Sequence, residues 1–332
     1  MAVKLESLET EKGTISPVRA LLSGLLAFVA ANWVTVIPLL FALRLLYLRY
    51  ASPLRRYPGP FLASVSRLWK VISTASGQTH WDHVRLHNKY GPVVRIAPNE
   101  VSLASPEAAR TVLSAGKRFY KTDFYAVFPP PENPDIFTEV REHVHAQKKK
   151  VANVPYSMAA MQQLSPFIDD TIEVFMGRLD GIADGRADHA KGPTVDLGAW
   201  LHWFAFDVLG EVAFSRSFGF LEQGKDVEDA ILTIDKSQTY NGIVGQIPEV
   251  DHLLRRNPLW ALIPALSSKN ALITRMALEE LERRKPFDKE TDGRWRAGDG
   301  RQDLLASLIK GHMKDPEKFG EGDVFAIAHG AM

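Results

Sequence analysis

From Ala20 to Leu43 the chain carries no charged side chain. As a helix this run would reach about 36 Å, enough to cross a hydrocarbon core of about 30 Å. Arg19 closes it on one side, and Arg44, Arg49, Arg55 and Arg56 crowd the other. Upstream, Lys4, Lys12 and Arg19 are set against Glu6, Glu9 and Glu11. The positive excess after the span predicts that the bulk of the chain is cytosolic. The pattern therefore divides into a lumenal tail (1–19), a transmembrane anchor (20–43) and a basic, proline-rich hinge (44–60) ending in Tyr57-Pro58-Gly59-Pro60. A cleaved signal peptide fits less well, because the run is long, starts late and lacks an Ala-x-Ala site. Asn32 and Trp33 interrupt the run, and Pro38 marks a potential kink.

Residues 61–332 are enough for one large domain or two small ones. His80 to Tyr90 has helical patterning and stops at Gly91-Pro92. Val93–Ile96 and Val101–Leu103 read as strands of a hairpin turned by Ala97-Pro98-Asn99-Glu100. Ser105-Pro106-Glu107 opens a helix with a cap, a proline at the first position and an acid facing the dipole. Residues 121–137 hold Phe124, Tyr125, Phe128 and Pro129-Pro130-Pro131, which predicts a long aromatic loop without regular structure. Beyond it the periodicity is helical. Ser165-Pro166 is read as a helix start, with Ile168, Ile172, Phe175 and Leu179 on one stripe. Further stripes run through Leu197, Leu201, Phe204 and Val208, and through Val227, Ile231 and Ile234. Leu272 to Arg284 sets Glu279 and Glu280 against Arg283 and Arg284 at helical spacing. Lys285 to Gln302 is the best linker candidate. Leu304, Leu305, Leu308 and Ile309 form another stripe, and a last helix begins near Asp323. Its apolar stretch, Phe325 to Ala328, runs almost to Met332, so the chain reads as cut off.

Composition narrows the chemistry. The net charge of +1 gives no basic surface for nucleic acid. With no cysteine, the chain holds no disulfide and no thiolate chemistry of its own. Seventeen Phe and seven Trp point to a large apolar interior or pocket. His80, His83 and His87 have metal-ligand spacing on a helix but no accompanying acid or fourth ligand, so no metal site is assigned. Asp169, Asp170 and Glu173 are read as structural. Trp203 and Phe204 are read as core, and His329 is given no role.

Several segments taken together resemble a microsomal cytochrome P450 of filamentous-fungal type. They are the anchor with its Pro-Gly-Pro hinge, Lys89 to Val101 as first helix and hairpin, and Phe119-Tyr120-Lys121-Thr122 leading to the loop over the haem. Glu142 to Lys150 with Pro155-Tyr156-Ser157 resembles helix C, Phe206 to Phe214 helix E, and Asp303-Leu304-Leu305 with Asp323-Val324-Phe325 the approach to helix I. The resemblance covers the family's N-terminal part. Its acid-alcohol pair, its Glu-x-x-Arg and its cysteine loop are not among these residues.

The resemblance implies a mainly α fold with a small β-hairpin sheet, an incomplete P450 fold tethered by one transmembrane helix at the endoplasmic reticulum. It implies haem as cofactor, NADPH electrons delivered by a flavin-containing reductase, and a lipophilic small-molecule substrate, with secondary metabolism as the setting. In place of the usual Trp-x-x-x-Arg of helix C the chain has His145-x-x-x-Lys149, and both residues suit a haem propionate. Lys is the weaker bidentate partner. A solvated basic helix end is the alternative for Lys148 to Lys150. Phe124, Tyr125 and Phe128 are the substrate-lining candidates by analogy, and no catalytic residue is assigned. Two readings compete with a monooxygenase: a truncated, inactive remnant and a membrane-tethered binding or scaffold module. A half-built core would leave the apolar faces of the Leu304 and Val324 helices exposed.

Overall fold

The structure, a computed structural model, describes residues 27–28, 30–114, 116, 119–128, 133–184, 194–255, 257, 272–284 and 301–330. The proposed 1–19 tail, the triple proline and nearly all of the 285–302 linker lie outside these residues. The fold is mainly α with one two-stranded antiparallel sheet, as the sequence suggested. The chain divides into two compact units: Met1–Lys70 with His80–Ser105, and Val71–Thr79 with Pro106–Met332.

The first unit begins with α1 (Trp33–Leu46), which passes directly into a π-helical turn, Tyr47–Ala51. Trp33–Ala51 is long and apolar enough to cross a membrane, and its apolar stretch is unburied. The helix does not stop at Leu43. It continues through Arg44, which is exposed, and into the π-helical turn that carries Arg49. Pro38 lies inside α1, and Asn32 caps it with non-helical backbone.

After the hinge come α2 (Phe61–Val65), α3 (Leu68–Ala75) and α4 (Thr79–Tyr90). Strands β1 (Val93–Ala97) and β2 (Glu100–Leu103) pair Val93 with Leu103 and Val94 with Ser102, leaving a turn of only Pro98 and Asn99. The hinge is held to β1 at close range. Arg95 N–H donates to the Pro58 carbonyl at 2.7 Å, and a side chain at Gly59 would collide with the Arg95 carbonyl.

In the second unit, α5 (Pro106–Leu113) starts where the Ser-Pro-Glu signal places it. A 3-10 turn, Asp123–Val127, interrupts the aromatic loop, which is therefore not wholly irregular. Next are α6 (Glu142–Ala152) and α7 (Met158–Ala183). Helix α7 does not begin at Ser165-Pro166. Ser157 caps it at the Ala160 N–H, and the helix runs through Pro166. Leu164 is buried, so packing offsets the one hydrogen bond that Pro166 cannot donate.

Helix α8 (Leu197–Phe214) is capped by Asp196 and ends at Ser215 in the left-handed conformation. Short α9 (Phe220–Gln223) follows, with Asp207 accepting from the Gly219, Phe220 and Leu221 N–H groups at its start. The Val227 stripe opens with a 3-10 turn, so α10 begins only at Ala230 (Ala230–Val244); α11 is Asp251–Leu254 and α12 Leu272–Arg283. The last two helices are α13 (Leu304–Lys314), capped by Asp303, and α14 (Glu321–Gly330).

The main core forms around α13. Leu304, Leu305, Leu308 and Ile309 pack with Ala152 of α6, Ala213 and Phe214 of α8, Leu281 of α12, and Val324 and Ile327 of α14. The apolar faces of the Leu304 and Val324 helices are therefore buried, not exposed. They cover one another and the ends of α6 and α8, each large side chain contributing about 1.5–3 kcal/mol.

Candidate functional site

Helix α6 presents two different faces. Lys148 is buried on the same stripe as Val144 and Ala152. Its amine donates to the Pro134 carbonyl and lies 3.0 Å from Asp323 of α14 and 3.5 Å from Glu139. Lys148 is thus not part of a solvated basic end. A cation at an otherwise apolar i, i+4 position was the available sign, but it needed a buried acid to give it meaning. Lys149, the next residue, is exposed and makes no ion pair among the described residues. His145, one turn before it, is half-buried, with Nδ1 3.7 Å from Glu142 Oε1.

Glu139 is the anionic centre beside this helix. Arg141 grips it from both sides, Nε to Oε1 at 2.8 Å and Nη2 to Oε2 at 2.9 Å. Burial alone would raise the Glu139 carboxyl. The hydrogen bonds from Arg141 and the charges of Arg141 and Lys148 outweigh it and hold the group at about 2.

The aromatic loop gathers its rings. Tyr125 meets Phe124 at 5.4 Å and Phe137 at 5.2 Å, and Phe128 meets Phe124 at 5.5 Å and Phe137 at 5.4 Å. Lys121 closes the loop by donating to the Ile136 and Phe137 carbonyls, with its amine 5.4 Å from the Tyr125 ring centre. Burial lowers the Lys121 amine most, and the Asp135, Glu142 and Glu139 charges oppose the shift. The adjoining cavity of about 170 Å³ is lined by Asp123, Ala126 and Val127 with Pro248, Asp251 and His252, and not by the three aromatic candidates. A larger space of about 440 Å³ between α7, α8 and α9 is lined by six charged residues, Asp170, Arg178, Asp207, Glu211, Glu222 and Arg301, with Phe167, Val174 and Leu221 among the rest. That charged lining does not suit a lipophilic ligand.

His329 near the end of α14 is buried, and burial lowers its imidazole while the Asp135 charge opposes the shift. Asp135 is engaged by Thr138, whose N–H and hydroxyl both donate to Oδ1 at 2.7 Å. The histidines of α4 serve the hairpin. His87 Nδ1 faces the Gly91 carbonyl at 2.9 Å, so it donates, and Nε2 accepts from the Ser102 hydroxyl at 2.8 Å. Ser102 Oγ in turn faces His83 Nδ1 at 3.3 Å. No group of three or more His, Cys, Asp or Glu that could hold a metal occurs among the described residues.

The fit to a haem divides. An exposed ammonium and an imidazole one turn apart match the chemistry of a propionate. No residue of the chain matches a thiolate ligand, since there is no cysteine.

The family profile for cytochrome P450 matches residues 58–329. The cytochrome P450 monooxygenase cicH of Emericella nidulans is 34% identical over 224 residues, covering 66% of this chain and 44% of the relative. A cytochrome P450 monooxygenase of Aspergillus terreus is 33% identical over 309 residues, 90% of this chain and 60% of the relative. The cytochrome P450 monooxygenase gsfF of Penicillium aethiopicum is 36% identical over 184 residues, 54% of this chain and 35% of the relative. The chain thus spans less than two thirds of each of these curated relatives. With a profile match over residues 58–329, and relatives 33–36% identical over the aligned residues, this chain belongs to the cytochrome P450 family.

Proposed function

We propose that these residues serve a haem-thiolate monooxygenase that hydroxylates a lipophilic small molecule in secondary metabolism. Membership of the P450 family, with relatives that are fungal monooxygenases, carries the reading. In it, Trp33–Ala51 anchors the protein in the endoplasmic reticulum membrane, and residues 61–332 form the N-terminal portion of a cytosolic catalytic domain. His145 and Lys149 hold a haem propionate, and Phe124, Tyr125 and Phe128 line the approach of an apolar substrate. Haem supplies oxygen activation when bound, with electrons from NADPH through a flavin-containing reductase. The thiolate has to come from outside these residues.

The test is the transcript beyond the codon for Met332. A reading frame that continues into a cysteine-bearing haem loop, whose product gives a thiolate-type spectrum with carbon monoxide, supports the monooxygenase. A stop codon there overturns it.

One observation favours a second reading, a membrane-tethered module without catalysis. The α13 and α14 faces are already covered within the chain. Cooperative unfolding of the soluble 61–332 segment, with no retained haem, would support that reading.

A further inference from the structure

Beside the end of α1 lies a cavity of about 300 Å³ lined by four arginines, Arg49, Arg55, Arg56 and Arg95, together with Tyr57, Tyr90 and the Pro58-Gly59-Pro60 backbone. Among the described residues no carboxylate lines it. Among the described residues none of the four arginines makes an ion pair, so their charges lie together uncompensated.

Arg95 is the least ordinary of them. It sits on β1 with 1% of its surface exposed. Nη2 donates to the Leu48 carbonyl at 2.9 Å and the Pro98 carbonyl at 2.5 Å, and Nε donates to the Ala97 carbonyl at 3.3 Å. Nη1 is buried with no hydrogen-bond partner, and so is Nε of Arg49. Burial, and then the Arg49 charge, lower the Arg95 guanidinium. Unpaired buried donors on mutually repelling cations are costly. The cost falls when an anion enters that can accept from several guanidinium forks at once. The exposed Arg55 and Arg56 stand at the same cavity, Arg56 beside the Tyr57 hydroxyl at 3.1 Å. All these groups belong to the first unit.

We propose that this pocket binds a phosphate group, presented by the headgroup of an anionic lipid. The phosphate chemistry follows from four arginines and two tyrosines around a space of this size without a carboxylate. The lipid source rests on the reading of Trp33–Ala51 as an anchor, since that helix ends at the pocket through Arg49. A phosphate at this depth would lie at the level where an anchor helix leaves the bilayer.

The experiment is calorimetric titration of the full chain in neutral detergent with short-chain phosphatidic acid, and in parallel with inorganic phosphate and short-chain phosphatidylcholine. Monomeric lipids report the site whether or not the helix inserts in a bilayer, and no haem is needed. Saturable one-to-one binding of phosphatidic acid is expected, with phosphatidylcholine much weaker. The double variant Arg55→Gln, Arg56→Gln should weaken it about tenfold or more at unchanged melting temperature. Arg49→Gln should act in the same direction, giving a second reading without touching the buried Arg95. Equal affinity for inorganic phosphate would uphold the phosphate chemistry and overturn the lipid source. No saturable binding of either, or an affinity unaltered in both variants, would overturn the site.

Discussion

Arg284 meets Asp303 through two nitrogens, Nη1 to Oδ1 at 2.8 Å and Nη2 to Oδ2 at 2.7 Å, with both residues buried. The pair joins the end of α12 to the start of α13. Asp303 Oδ1 also caps α13 at the Ala306 N–H, and Oδ2 accepts from the Ser215 hydroxyl. Arg284 donates to the Phe214 carbonyl at the end of α8. One carboxylate therefore fixes three helix ends.

Removing either partner strands the other as a buried charge. Asp303→Ala and Arg284→Ala are each expected to lower unfolding free energy by about 3–5 kcal/mol. In a double-mutant cycle the two losses should be far from additive. Additive losses in denaturant unfolding would refute the coupling.

Neighbouring lysines on α6 should behave oppositely. Lys148→Ala leaves Glu139 and Asp323 without their shared cation and should cost about 3–5 kcal/mol. Lys149→Ala should stay within about 0.5 kcal/mol of the parent, because its side chain is in water. Thermal melts of the two single variants separate them. Equal effects would mean that the buried face of α6 has been assigned to the wrong lysine.

Acid should weaken the fold in two steps. Burial holds the His83 and His329 imidazoles below 6.5. Their contribution is complete above pH 6.5 and declines as pH falls below it, because the unfolded chain takes up protons first. Glu139, at about 2 against an ordinary 4.5, contributes above pH 4.5 and loses its contribution as pH falls toward 2. A plot of melting temperature against pH should show both declines. Glu139→Gln should flatten the lower one, and His83→Asn with His329→Leu the upper one.

Leu305 is fully buried at the middle of the core. Leu305→Ala should cost about 2–5 kcal/mol, whereas Leu113→Ala on the exposed end of α5 should cost little. Comparable losses in urea unfolding would contradict the placement of the core around α13.

Signals carried by adjacent residues were legible in the sequence. Ser105-Pro106-Glu107 announces α5, the Leu304-Leu305-Leu308-Ile309 stripe announces α13, and the hairpin follows from two short apolar runs around Pro98-Asn99. Ser165-Pro166 misled for a physical reason. A proline preceded by serine suits a helix start, yet the same pair is tolerated inside a long helix anchored by the buried Leu164 just before it. The charged residues that matter most could not be found locally. Lys148, Arg95 and Arg284 look like surface charge in the sequence, and each gains its meaning from an acceptor distant along the chain or in another element. Glu280 reaches Arg283 at 3.0 Å, whereas Glu279 lies 3.5 Å from Arg275 and Arg284 is drawn to Asp303. The site candidates divided in the same way: aromatic residues close in sequence do cluster, while the position of Lys149 depended on which face of α6 the core claims.

The bond from Arg95 to the Leu48 carbonyl changes what kind of attachment the apolar helix is. Leu48 lies in the π turn that continues α1, and the same guanidinium holds Ala97 and Pro98 of the hairpin. A flexible leash would let a tethered body tumble independently of its stalk. Here the stalk is clamped to the hairpin by one side chain, so in the proposed anchored state a tilt of the helix against the bilayer normal is inherited by the hairpin. Under that reading the depth and heading of the hairpin above a lipid surface become properties of a mooring, set by bilayer thickness and helix tilt.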